Sequence, residues 1–202
     1  YENITGSWTQ IGNDIDGEAA NDQSGHSVSL SSNGSTLAIK SSGHVRIYKN
    51  IGGTWSKIGN DIDGDASSVS LSDDGNTVAI GDRYNDGSAG SGSAAGHVRI
   101  YENVGGSWSQ IGNDIDGEAA GDQSGYSVSL SSDGSIVAIG SRYNDGNGTD
   151  VGHVRVYENI SGTWSQIGQD IDGEAANDYS GRSISLSSDG NTVAIGAKYN
   201  GD

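Results

Sequence analysis

Three acidic segments hold the residues of this chain best placed to do chemistry. Asp14, Asp16, Glu18 and Asp22 follow one another as DxDGExxxD, and the pattern returns at Asp114, Asp116, Glu118 and Asp122 and at Asp170, Asp172, Glu174 and Asp178. Calcium takes about six to eight oxygen ligands on flexible, glycine-containing loops, and this composition could supply them. The same residue types also cap turns by accepting backbone N–H groups. A fourth copy is shortened to Asp61, Asp63 and Asp65, which would leave a weaker site or none. The run 144–150, NDGNGTD, is a second calcium candidate through Asp145, Asn147 and Asp150. Asn85-Asp86 begins a Gly/Ser version of it without the later acid.

Other reactive residues recur at fixed places. His44, His97 and His153 share one repeat position but lack the spacings of about two to five residues found in compact zinc sites. A structural role beside Arg46, Arg99 and Arg155 is expected. His26 is replaced by Tyr126 and Arg182 at its own position, which suits residues lining an opening. The four tryptophans could stack on sugars, but an aromatic on a sheet edge also supplies large burial and is expected to pack. Asn3, Asn33, Asn147 and Asn159 begin N-x-S/T acceptor patterns for glycosylation. No nucleophile sits beside a base and an orienting group, and His, Ser and Asp recur with the repeat instead of converging on a unique site. The chain therefore reads as non-catalytic.

The elements that must position these residues are repeated. Trp8, Trp55, Trp108 and Trp164 mark the register at spacings of 47, 53 and 56 residues. The segment from Ile111 to Gln166 contains one whole unit. Periods of this size indicate a solenoid, propeller or array in which each unit buries its apolar face on a neighbour. Ser27-Val28-Ser29-Leu30-Ser31 alternates with period two, Asn33-Gly34 is a tight hairpin turn, and Thr36-Leu37-Ala38-Ile39 returns. His44 to Tyr48 predicts a third strand, with Val45 and Ile47 on one face and His44, Arg46 and Tyr48 on the other. Thr54 to Ile58 predicts a fourth. The acidic segment 12–25 shows no strand period. Four short antiparallel strands per unit is the composition of a propeller blade. The fold expected is all-β, with blade equivalents at about 27–58, 68–111, 127–167, and 183–202 together with 1–11. The Gly-His-Val-Arg part of a third strand occurs in neither 183–202 nor 1–11. That gap favours pairing with further repeats of the same chain or another copy.

Composition bounds the partners. The chain has 27 acidic and 10 basic residues, a net charge of −17, and no block of Lys or Arg, so nucleic acid and membrane insertion are not expected. It has no cysteine, which rules out disulfides and thiolate metal sites.

Three pieces resemble the FG-GAP repeat family, the blades of integrin-α-type propellers and of many surface proteins. Asp122 to Val128 resembles the family's approach to the innermost strand, as do Asp22 to Val28 and Asp178 to Ile184. Ala194-Ile195-Gly196-Ala197-Lys198 resembles the "GAP" end of the second strand, and Gly152 to Tyr157 the Gly-led third strand. Ser24, Ser124 and Ser180 stand where the family has Phe, and no Pro occurs. A tight Asn/Asp-Gly turn replaces the family's calcium loop, so calcium is not carried over by position. The resemblance implies an extracellular, non-catalytic structural or adhesive propeller module contacting proteins or glycans through its loops. A calcium-dependent lectin-like module is the alternative, and a secreted carbohydrate-active enzyme the third.

Overall fold

The computed structural model describes residues 1–87 and 93–201. Most of the Gly/Ser loop that Asn85-Asp86 begins, and the final Asp202, lie outside them. Three complete sheets follow one another along the chain. Sheet I contains β3 (Val28–Leu30), β4 (Thr36–Ser41), β5 (His44–Ile51), β6 (Thr54–Lys57) and β7 (Ile62–Asp63). Sheet II contains β8 (Ser68–Leu71), β9 (Thr77–Asp82), β10 (His97–Val104), β11 (Ser107–Gln110) and β12 (Ile115–Asp116). Sheet III contains β13 (Ser124–Leu130), β14 (Ile136–Ser141), β15 (His153–Ile160), β16 (Thr163–Gln166) and β17 (Ile171–Asp172). In each, four strands run in chain order and the short fifth pairs with the third. Before them come β1 (Glu2–Ile4) and β2 (Ser7–Thr9), and after them β18 (Ser183–Leu186) and β19 (Val193–Gly196). The pieces at 1–11 and 183–202, expected to share one blade, are two separate two-stranded sheets.

All strand pairs are antiparallel, and tight turns join the first two strands of each sheet. The turn Asp74-Gly75 shows how. Asp74 Oδ1 accepts the Asn76 amide at 2.9 Å and the Ser72 hydroxyl at 2.7 Å. Gly75 takes φ of +71°, which a side chain rarely tolerates.

The core lies between sheets. Val45, Ile47 and Ile62 of sheet I meet Val69, Leu71, Val78 and Ile80 of sheet II. Val98, Ile100 and Ile115 of sheet II meet Val128, Leu130, Val137 and Ile139 of sheet III. Each such side chain contributes about 1.5–3 kcal/mol when fully buried, so neighbouring sheets hold one another. Val28 and Leu30, on the corresponding face of sheet I, are 58% and 55% exposed, against 7% for both Val69 and Leu71.

The serines that alternate with these apolar residues also join sheets. Ser29 Oγ accepts the Leu71 amide, Ser70 Oγ that of Leu130, and Ser129 Oγ that of Leu186, at 2.9, 3.0 and 3.0 Å. Each bond satisfies an edge amide that the strand ladder leaves free. Innermost strands therefore sit side by side without merging into one sheet.

Candidate functional site

The outermost strand of each sheet is broken in two. Beyond β11 the chain turns through Gly112 and Asn113. Then β12 pairs with the start of β10, with His97 opposite Asp116 and Val98 opposite Ile115. The same register places His44 opposite Asp63 and His153 opposite Asp172. The segment 12–25, read from sequence as a connection without strands, contains none, whereas the later copies begin as a short strand. Ile62 and Ile115 are buried in the core there, and Ile171 pairs in the same register though 40% exposed. Opposed residues in an antiparallel pair share a face, so the register presents the Asp to the His.

This pairing builds one carboxylate–imidazole cluster per sheet, each with three potential ligand atoms within 4.8 Å of one another. In sheet II, His97 Nδ1 lies 3.2 Å from Asp114 Oδ2, and Asp116 completes the group. In sheet III, His153 Nδ1 lies 3.6 Å from Asp170 Oδ2, and Glu118 of the preceding connection joins them. In sheet I, His44 Nε2 lies 3.9 Å from Glu18 Oε2, with Asp61 as the third member. Burial pushes the His97 and His153 imidazoles below the ordinary histidine value. Asp114 opposes that shift at His97, whereas Arg155 reinforces it at His153.

Guanidinium groups lock the clusters to neighbouring sheets. Arg46 and Arg155 reach Glu18 and Glu118 at 3.5 and 3.3 Å and donate to the Asp16 and Asp116 carbonyls at 3.2 and 3.0 Å. Arg99 donates to the Asp63 carbonyl at 3.1 Å. These donor sets mix an imidazole nitrogen with carboxylates. Calcium prefers an all-oxygen shell, whereas mixed nitrogen and oxygen ligands suit zinc and other transition ions.

The acidic residues also make local hydrogen bonds, two of the cluster members, Asp114 and Asp170, among them. Asp22, Asp122 and Asp178 cap their own turns by accepting the amides of Glu18, Ala119 and Ala175. Asp14, Asp114 and Asp170 accept the side-chain amides of Gln10, Gln110 and Gln166 at 2.9, 2.7 and 2.7 Å. Asp145 accepts the amide of Asp150, and the Asn147 amide donates to Asp172. Glu174 is exposed and, among the described residues, joins none of the clusters. Repeated turn chemistry accounts for most of the N-x-S/T patterns. Asn3 and Asn159 accept the amides of Gly6 and Gly162, as Asn50 and Asn103 do at the same turn without forming the pattern. Asn33 occupies the turn position that Asp74 fills in sheet II.

The tryptophans staple consecutive units. The indole N–H of Trp55, Trp108 and Trp164 donates to the carbonyl of Ile11, Ile58 and Ile111 at 3.1, 3.2 and 3.0 Å. Trp108 and Trp164 also pack on the two cores. Beside each staple lies an open cleft. One of about 430 Å³ is lined by Asp14, Asp16, Tyr48 and Trp55. One of about 340 Å³ is lined by Asp61, Asp63, Tyr101 and Trp108. One of about 470 Å³ is lined by Asp114, Asp116, Tyr157 and Trp164. Each thus combines two aromatic rings with two carboxylates from the adjoining connection. The clustered histidines and the clefts were missed from sequence. Their only signal was Ile between two Asp, a short alternation that continues the outer strand.

No family model and no curated protein matches this sequence. Solved structures do. Hydrazine synthase of Kuenenia stuttgartiensis superposes with a TM-score of 0.54 at 18% identity, covering 84% of this chain and 42% of that one. A candidate 6-phosphogluconolactonase of Bacteroides uniformis superposes with a TM-score of 0.55 at 14% identity, covering 84% of this chain and 46% of that one. The chain spans less than half the length of either, and the likeness concerns the fold alone, which is all-β and propeller-like.

Proposed function

We propose that this chain is the repeat region of an extracellular, non-catalytic adhesive β-propeller of FG-GAP type that binds glycans through its inter-sheet clefts. The observation that carries this is the recurrence of one cleft at three successive sheet junctions. Carboxylates accept hydroxyl hydrogens, aromatic rings offer flat apolar faces, and such a mixture suits a polyhydroxylated ring. Three equivalent clefts let a repeating polymer engage several at once, so that weak single contacts sum to useful avidity. The exposed Val28 and Leu30 support a further contact, with more repeats of this chain or another copy. Recurrence also weighs against catalysis, which requires convergent groups in one place.

A glycan array probed with the native chain, with the single variant Asp114→Asn and with the triple variant Asp14→Asn/Asp61→Asn/Asp114→Asn tests this. The single change should lower avidity and the triple change should abolish it, while all three proteins melt alike. No retained glycan, or full binding by the triple variant, would refute it. The calcium-dependent alternative requires that a chelator abolish glycan binding and lower the melting temperature.

A further inference from the structure

The junction between sheets I and II carries a feature that the other junctions lack. Lys40 occupies the position held by Gly81, Gly140 and Gly196 in later units. A Cβ at Gly81 would lie 2.2 Å from the Gly125 carbonyl, and one at Gly140 would lie 2.1 Å from that of Gly181. Only glycine fits there, because the next connection passes over it. Between sheets I and II that connection is shortened to 61–67 and carries no counterpart of Gly125. The vacated space holds the Lys40 side chain and a cleft of about 220 Å³, lined also by His26, Ser42, Arg83 and Tyr84.

Lys40 is only 7% exposed, yet among the described residues its ammonium has neither a hydrogen bond nor a carboxylate within 4.0 Å. Arg83 is similar. Its Nε is buried without a partner, and among the described residues its guanidinium donates one hydrogen bond, to Tyr84 Oη at 2.9 Å. Three guanidinium groups then converge on one ring. Arg83, Arg142 and Arg182 stand 5.0, 3.9 and 5.6 Å from the centre of Tyr126, and no carboxylate pairs with any of them among the described residues. In a chain with 27 acidic residues, half-buried guanidinium groups gathered beside Lys40 without paired acids make a positive site that an anion can complete. Asp65 and Asp82 also line the cleft. Asp82 Oδ1 is engaged by the Tyr84 amide, and the cations around Arg83 and Tyr126 outnumber these two carboxylates.

We propose that this junction is an anion-recognising subsite, distinct from the outer clefts, that seats the carboxylate or sulfate of an acidic sugar. Lys40 supplies a point charge and Arg83 a planar pair of donors suited to a two-oxygen acceptor. The exposed ring of Tyr84 stands beside them for the sugar face, and the volume suits one ring more than a longer ligand. An anion on a sugar is favoured over an acidic side chain because tyrosine rings, not apolar side chains, border the charges.

Calorimetry with digalacturonate, galactose 6-sulfate and neutral galactose tests the assignment. The first two arms separate carboxylate from sulfate. At least one acidic sugar should bind and raise the native melting temperature, and galactose should not. Lys40→Met and Arg83→Met should each weaken binding by about tenfold or more and lose the ligand-induced rise in melting temperature. Lys40→Arg should retain both. Native affinity in Lys40→Met, equal binding of galactose, or tighter binding of an acidic peptide than of either acidic sugar would overturn it.

Discussion

The junction between sheets II and III and the junction between sheets I and II are built from the same repeat, yet they close differently. At the first, residues of the long β9–β10 loop pair with the acidic connection. Gly96 bridges Ser124, and the amides of Gln123 and Ser124 donate to the carbonyls of Ala94 and Ala95. At the second, the corresponding loop is a two-residue turn, Ser42-Gly43, and the connection is cut to match. One junction is sealed by backbone and the other is left with a cleft. A closed junction is thus available to every unit, and the open one marks where two complementary deletions meet.

The sharpest way to break this comparison is to exchange the residues that define it. Gly81→Lys should collapse the sealed junction, because a Cβ there would meet the Gly125 carbonyl and Ser68 Oγ at 2.2 and 2.7 Å. The cost should reach about 3 kcal/mol, the upper range for overpacking, read as a large fall in the urea midpoint. Lys40→Gly at the open junction should cost no more than about 1 kcal/mol, the usual cost of glycine in a strand, because the Lys40 ammonium has no partner to lose among the described residues. Equal losses in the two variants would show that the junctions do not differ in packing.

The sheets were legible from sequence and the junctions were not. Ser27 to Ile39 alternates with period two around Asn33-Gly34, and such signals are local. The faces of Val45 and His44 followed from the same alternation. Glycine-rich and acidic composition also located the connections. What was hidden depends on neighbours in space. Aligning one repeat with another compares His97 with His153, but His97 touches Asp114, which lies beyond the Trp108 strand. Likewise the deletions after Lys40 and after Asp61 look like unrelated loop variation until sheets I and II are placed side by side. The His–Asp register needed one further fact, that the chain beyond β11 turns back to pair with β10 and sets Asp116 opposite His97.

A smaller effect should come from the guanidinium locks. Arg155 bonds the Asp116 carbonyl and also pairs with Glu118, whereas Arg99, at the open junction, has only the Asp63 carbonyl. Arg155→Met should cost about 2 kcal/mol, because a carbonyl and a half-exposed carboxylate both lose their partner. Arg99→Met should cost about 1 kcal/mol. Thermal denaturation of the two variants would test the ranking, and a reversal would sink the claim that the shortened connection weakens the lock.

The tryptophan staples should give a difference of about 1 kcal/mol. Trp164→Phe keeps the ring on the core but removes the N–H bond to Ile111, a loss of roughly that size. Trp8 is 68% exposed, and its indole N–H makes no such bond among the described residues, so Trp8→Phe should fall within experimental error of the native chain. A measurable loss in Trp8→Phe would mean that this tryptophan is covered in solution.

The smallest expected effect is a change of slope with pH, and it distinguishes the two buried histidines. Burial lowers the folded-state value of His97 and His153 below the ordinary 6.5. Between the folded and unfolded values the unfolded chain binds more protons, so stability rises with pH through that window. It is fully present above about pH 6.5 and declines as the pH falls toward the folded values. The turn caps act lower. Hydrogen bonds from Ser135 hold Asp133 below the ordinary 3.8, and those from Ser187 and Asn191 hold Asp189 at about 2. Their contribution is present above the unfolded carboxylate value and is lost only as the pH drops through the folded ones. Melting temperatures taken from about pH 7.5 down to 5 therefore isolate the histidines. His153→Gln should flatten that range more than His97→Gln, because Arg155 adds to the cost of a charged imidazole at His153 while Asp114 offsets it at His97. A native chain whose melting temperature is flat over this range would show that both rings stay solvated, and the clusters would then be open enough to exchange protons freely with water.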